Sequence, residues 1–117
     1  MAATSEIILS NQTHTGDSST ISVTGENFKG DGYYSRTDGF HTVQIAVNEF
    51  IGTVNIQATL ATSPVDADWF DIVTHTAADG DAERTGSFLY NFTGNYVWIR
   101  AIAEYTDGAI TSILLNH

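Results

Sequence analysis

Apolar and polar residues alternate along most of this sequence, and the 3.6-residue period of a helix is nearly absent. In the stretch from Phe40 to Asn48, for example, Val43, Ile45 and Val47 fall on one face of an extended chain. The stretches with this pattern are residues 6–10, 20–24, 40–48, 54–60, 69–76, 87–92, 96–105 and 110–116. The alternation therefore predicts about eight short β-strands.

Clusters of Gly with Asp or Asn separate these predicted strands. They lie at residues 30–32, 38–39, 79–81, 94–95 and 107–108. Such residues supply the positive φ angles that tight turns require. The spacing predicts an all-β fold, an antiparallel β-sandwich or jelly roll, as one domain over residues 1–117. The first 20 residues are expected to form an edge strand, with an arm that reaches a neighbouring subunit as the alternative.

The last part of the chain carries a strong hairpin signal at Asp107-Gly108, between two apolar stretches. Strict alternation in the second stretch places Ile110 and Leu114 on one side and Ile113 and Leu115 on the other. Both faces of the predicted hairpin are therefore apolar.

The first strand of this predicted hairpin is also apolar on one face and largely apolar on the other. Its second face carries Tyr96, Trp98, Arg100 and Ile102. A hairpin of this kind is expected either inside a sandwich with additional cover or at a subunit interface. The four residues are therefore candidates for contact with a partner.

Charge excludes several classes of partner. The sequence has 14 Asp and Glu against 4 Lys and Arg, which gives a net charge of -10. Such a chain cannot bind nucleic acid or an anionic membrane by charge attraction. The N-terminus lacks the basic and apolar regions of a signal peptide, and no stretch approaches the roughly 20 apolar residues of a membrane span. We expect synthesis in the cytoplasm without export.

No catalytic motif is present. The sequence contains neither Gly-x-Ser-x-Gly nor a Gly-rich phosphate loop, and it has no Cys for a zinc site or a disulfide. Its four His are scattered. Acidic clusters at 66–71 and 79–83 offer oxygen ligands for calcium, but they lack the full calcium-loop pattern and are explained by turn chemistry. We therefore expect a protein without enzymatic activity and without a cofactor.

The remaining aromatic residues give two open alternatives. Tyr33, Tyr34 and Arg36 lie in a stretch bounded by glycines, and could form a stacking surface for a glycan or a protein, or a turn whose rings cover a sheet edge. Trp69 and Trp98 could be a platform for a sugar, or part of the core. Glycan binding is thus the alternative to a role in protein assembly.

Three stretches carry a resemblance to a known family: GYYSRTDGFHTVQIAV, IGTVNIQATLAT with DWFDI, and NFTGNYVWIRAIAEYTDGAITSILLNH. Together they resemble small virion structural proteins of contractile-tailed (myovirus-type) phages of marine cyanobacteria. The resemblance covers residues 32–117 and is most specific in NFTGNYVWIR. It implies a β-sandwich component of the virion, a capsid decoration protein or a tail or baseplate accessory. Its expected partners are copies of itself and other virion proteins, and the resemblance implies no catalytic residue.

Overall fold

The computed structural model describes residues 5–17, 19–34 and 39–116. The strands are β1 (Glu6–Leu9), β2 (Gln12–Thr13), β3 (Ile21–Thr24), β4 (Phe28–Lys29), β5 (Phe40–Thr59), β6 (Phe70–Ala77), β7 (Gly86–Thr93) and β8 (Trp98–Asn116). Short 3₁₀ helices cover Asp66–Asp68 and Ala82–Arg84. Within the described residues, all the strands belong to one antiparallel 8-stranded sheet, which confirms the predicted all-β, sandwich-like fold.

Two long strands form the centre of the sheet. β5 and β8 pair along almost their whole lengths, from Thr42 opposite Asn116 to Thr59 opposite Trp98. The four short strands β1 to β4 follow the outer edge of β8. β7 and β6 share the outer edge of β5. The sheet is therefore four strands wide at each end.

The sheet folds over on itself. Gly94 N donates to Gly39 O at 2.9 Å, just before β5 begins, and Val97 N donates to Thr59 O at 2.9 Å, where β5 ends. Both ends of β5 thus lie beside residues 94–97, the short link between β7 and β8. A straight strand of 20 residues would span about 65 Å, which exceeds the longest dimension of the molecule, 44 Å. β5 must therefore double back.

The folded sheet has two layers. The first layer consists of β1, β2, β7, residues 40–48 of β5 and residues 109–116 of β8. The second layer consists of β3, β4, β6, residues 52–59 of β5 and residues 98–105 of β8. The core between them is formed mainly by Val43, Ile45, Val47, Phe50, Val54, Ile56, Ile99, Ala101, Tyr105, Ile110, Ile113 and Leu115.

A buried histidine links the two layers. The Nε2 of His75 in β6 donates to Glu83 O at 3.0 Å, so its Nδ1 is free to accept the hydroxyl proton of Tyr90 in β7 at 2.6 Å. Burial and the nearby carboxylate of Glu83 raise the pKa of Tyr90. The phenol therefore stays protonated and keeps this bond at neutral pH.

Both long strands bend at the same level, which we call the corner. Glu49 in β5 has φ 54°, and Gly108 in β8 has φ 81°. A Cβ at Gly108 would lie 2.2 Å from Glu49 O. Only glycine combines this φ with so close an approach of two backbones. The corner therefore depends on Gly108, the residue that marked the predicted turn.

The predicted hairpin at Asp107-Gly108 is wrong. β8 continues through these residues from Trp98 to Asn116, and both its halves pair with β5 rather than with each other. The positive φ of Gly108 lets β8 bend where the whole sheet folds over, and the chain does not reverse its direction here. For the same reason the separate strands predicted at 40–48 and 54–60 are one strand.

The predicted faces of residues 110–116 are also wrong. Ile110, Ile113 and Leu115 are all fully buried, while Leu114 points outward. The register shifts here: Val47 pairs with Ile110, but the preceding residue of β5 already pairs with Ser112. This bulge adds one residue to β8, which brings Ile113 back to the face of Ile110.

Candidate functional site

The outer face of the second layer collects most of the aromatic and basic candidates. Trp98, Arg100 and Ile102 alternate along β8 with fully buried residues, so all three side chains point away from the core. Tyr33 and Tyr34 reach the same face from the turn that follows β4. The predicted second face of this strand is therefore correct for three residues.

The aromatic rings on this face cover one another. Tyr33 lies 5.1 Å from Trp98 between ring centroids, tilted by 57°, and 5.5 Å from Tyr34, at 77°. Lys29 Nζ lies 4.6 Å from the centroid of the Tyr33 ring. The indole N–H of Trp98 donates to Thr62 O at 3.1 Å. Tyr33 thus packs against Trp98, while Tyr33 and Tyr34 stay 44% and 46% exposed.

Backbone contacts hold Tyr33 in this position. Gly30 N donates to Val97 O and Gly32 N donates to Tyr96 O, both at 2.9 Å. A Cβ at Gly30 would lie 2.3 Å from Tyr96 O. The glycines therefore let the turn pack directly on the chain that leads into β8, and this packing brings Tyr33 to Trp98.

Arg100 contacts Gln57, Trp69 and Asp66. Its Nε donates to Gln57 Oε1 at 2.8 Å, and its guanidinium carbon lies 4.3 Å from the centroid of the Trp69 ring. Asp66 lies 3.7 Å from Nη1 but is fully exposed, so this ion pair contributes little. Gln57 in turn donates to Asp71 Oδ1 at 2.9 Å. Arg100 and Trp69 are both partly buried and pack against each other.

Beside this cluster, the outer face contains a polar depression of about 480 Å³. Its side chains are those of Thr53, Asn55, Gln57, Asp71, Ile102 and Glu104. Thr74 Oγ1 donates to Asn55 Oδ1 at 2.7 Å, and Gln57 is held by Arg100. Asn55, Gln57 and Asp71 are therefore held in place by hydrogen bonds within the protein.

One of the predicted site residues, Tyr96, lies elsewhere. Tyr96 turns inward, 6.3 Å from both His41 and Phe92 between ring centroids. It lines an apolar cavity of about 420 Å³ at the open end of the second layer, together with Ala58, Leu60, Ala61, Phe70 and Ile72. Arg36 lies outside the described residues.

The outer face of the first layer has a different character. The segments at its centre, residues 40–48, 86–93 and 109–116, contain no Asp, Glu, Lys or Arg. In the second layer, by contrast, charged side chains stand on the outer face, among them Asp71, Arg100 and Glu104. For a chain of net charge -10, a sheet face with an uncharged centre is unexpected.

A row of mostly apolar residues, which we call the apolar row, crosses this uncharged face. Ile7 pairs with Leu114, Leu114 with Gln44, and Gln44 with Leu89. Ile7 and Leu89 are 58% and 67% exposed, and Phe40 is 71% exposed near one end of the face. Ile7, Leu89 and Phe40 were not among the predicted site residues. The absence of charge from three separate segments of an acidic sequence was the signal that could have identified them.

The acidic clusters at residues 66–71 and 79–83 supply carboxylates that accept hydrogen bonds from the backbone of turns. Asp68 Oδ2 accepts from Val65 N, and Asp81 Oδ2 accepts from Ala78 N, both at 2.9 Å. Within the described ranges no three His, Asp or Glu side chains converge in a way that could hold a metal ion. In the same ranges, no helix has the length and apolar character needed to span a membrane.

No protein-family model, no curated protein and no solved structure matches the chain. The function is therefore inferred from the two outer faces, of which one is charged and aromatic and the other is uncharged and apolar.

Proposed function

We propose that this chain is a non-enzymatic structural protein of a phage virion, which docks onto other particle proteins through the outer face of its first layer. The uncharged centre of that face carries the proposal. Depletion of charged residues is the compositional feature that distinguishes the centre of a protein interface from the rest of a surface. Here the depletion of charge occurs in a strongly acidic chain, whose acidic residues would otherwise repel other acidic molecules.

The exposed apolar row supports the same role. Ile7, Leu114 and Leu89 lie in register on one row across four strands, with the uncharged Gln44 between Leu114 and Leu89, so they form a band rather than scattered single residues. Bands of this kind mark interaction sites on soluble proteins. The resemblance in sequence to small virion proteins of contractile-tailed cyanophages supplies the particle context.

A charge placed on the row tests this proposal. Leu114→Glu is expected to weaken co-sedimentation of the protein with purified particles of a contractile-tailed phage of marine cyanobacteria by at least about tenfold, because the carboxylate would be buried without a partner. Ile102→Glu is the matched control, since Ile102 is also a half-buried, outward residue of β8 but lies in the second layer. Equal binding by both variants, or no binding by the unmodified protein, would contradict the proposal.

Glycan binding remains a second candidate because of the depression in the second layer. Asn, Gln, Asp and Glu side chains fixed beside an aliphatic residue suit the hydroxyls and the apolar ring face of a neutral sugar. The aromatic residues give less support, because Tyr33 and Trp98 are tilted and Trp69 packs against Arg100.

A glycan array separates the two candidates. If the depression binds a sugar, the unmodified protein gives hits that Ile102→Glu abolishes and Leu114→Glu preserves, the reverse of the pattern expected for docking. An array without hits would remove glycan binding from consideration.

A further inference from the structure

β7 presents an edge that nothing in the described chain covers. Over its eight residues, Gly86–Thr93, it pairs only with β5, in eight consecutive register pairs without a bulge. No other backbone hydrogen bond to residues 86–93 is found among the described residues. About half of the backbone N–H and C=O groups of such a strand point to the open side.

The other edge strands carry features that discourage pairing with a second chain. β6 has a register shift between Ile56 and Gln57 of its partner and carries Asp71. β1 is four residues long and is interrupted by a bulge between Ile7 and Leu9. β2 and β4 have two residues each and β3 has four. Short strands, bulges and charges are the devices by which native sheets protect their edges.

β7 has none of these devices. Its sequence, GSFLYNFT, contains no charged residue and no proline. Leu89, at the middle of the strand, is 67% exposed on the outer face. A long, regular and uncharged edge with an exposed aliphatic residue at its centre is a site for addition of another strand.

We propose that β7 pairs antiparallel with β7 of a second copy, about a two-fold axis at Leu89. This inference rests on the proposed function, because the dimer would be the unit that docks onto other particle proteins. The first layers of the two copies then form one continuous sheet, and the apolar row that ends at Leu89 continues into the partner. A two-fold interface of this kind is self-complementary, as closed homodimers require.

Charge favours the antiparallel direction. The turn just before β7 carries Asp79, Asp81 and Glu83 with one cation, Arg84, and is therefore acidic overall, whereas the segment that follows β7, residues 94–97, is uncharged. Antiparallel pairing places the acidic turn of each copy beside the uncharged link of the other. The two acidic turns are then roughly a strand length apart, about 27 Å, which is several Debye lengths at physiological salt. Parallel pairing would bring them together.

Cysteine cross-linking tests the axis directly, because the chain has no cysteine of its own. Directly opposed residues of antiparallel strands have Cα atoms about 4.5–5.5 Å apart, within the range of a disulfide. Leu89→Cys is therefore expected to give a disulfide-linked dimer under mild oxidation. Ile7→Cys is the matched control, since Ile7 is equally exposed in the same row but lies on the opposite edge. Equal cross-linking of both variants, or none of Leu89→Cys, would overturn the inference.

Sedimentation of charge variants separates this inference from the proposed function. Leu89→Glu is expected to raise the dimer dissociation constant about a hundredfold, because two carboxylates would face each other at the axis. Ile7→Glu should leave the dimer intact, and an equimolar mixture of Leu89→Glu and Leu89→Lys should restore it. If the protein binds particles but remains monomeric, or if Leu89→Glu dimerises normally, the inference fails while the proposed function stands. Loss of particle binding in Leu114→Glu with normal cross-linking of Leu89→Cys supports both.

Discussion

Gly108→Ala is expected to lower the free energy of unfolding by about 3–5 kcal/mol. The alanine would have to adopt φ 81°, and its Cβ would lie 2.2 Å from Glu49 O in the facing strand. Neither backbone can move away without loss of the hydrogen bonds that hold the two long strands together at the corner. Chemical denaturation of the purified protein measures the change.

Gly80→Ala is the matched control for this substitution. Gly80 has nearly the same φ, 86°, but a Cβ there would have nothing within 4 Å. Only the strain of the positive φ remains, so the expected loss is about 1–2 kcal/mol. Equal losses in the two variants would show that β5 and β8 do not approach each other closely at Gly108.

Asparagine at the same position distinguishes a strand corner from a hairpin turn. Asn accepts positive φ and is common in the two-residue turns of hairpins. In a free turn, Gly108→Asn would therefore be nearly neutral. At the corner, its Cβ meets Glu49 O as that of alanine does, and the expected loss is almost as large as for Gly108→Ala.

Arg84→Met is expected to lower the free energy of unfolding by about 2–3 kcal/mol. Arg84 Nη2 donates to Glu49 O at 3.1 Å, and the guanidinium lies 3.3–3.7 Å from the carboxylates of Glu49, Asp79 and Asp107. The carboxylates are mostly exposed, so each ion pair alone adds only a few tenths of a kcal/mol. The larger part of the loss comes from the hydrogen bond to the Glu49 carbonyl at the corner and from the repulsion among three carboxylates that no longer share a cation.

Salt dependence separates these two contributions. Repulsion among the three carboxylates is screened by salt, whereas the lost bond to Glu49 O is not. Arg84→Met should therefore regain part of its stability as the salt is raised and the Debye length falls from about 10 Å (at about 0.1 M NaCl) to about 3 Å (at about 1 M NaCl). Arg100→Met is the control, because Arg100 pairs with one fully exposed carboxylate and makes no backbone bond at the corner. A salt response of Arg100→Met as large as that of Arg84→Met would contradict the role given to the carboxylate cluster.

The strand positions followed from the sequence because alternation is a local property. Val43, Ile45 and Val47 face the core as predicted, since burial of one face of a strand requires a period of two. For the cluster of Tyr33, Tyr34 and Trp98, the sequence showed which residues were candidates but not that they contact one another. Tyr33 and Trp98 lie far apart in the chain, and they meet because the turn after β4 binds the backbone before β8.

By itself, the sequence determined the fold class, the positions of most strands and the net charge of -10. It also contained the three uncharged segments, which lie far apart in the chain and acquire a meaning only when they become neighbours. The tertiary structure decided that Asp107-Gly108 is a corner rather than a hairpin, because a glycine with positive φ permits either and the pairing of β8 with β5 selects between them. It also decided which faces are available to partners, because the fold of the sheet brings three uncharged segments together on one side.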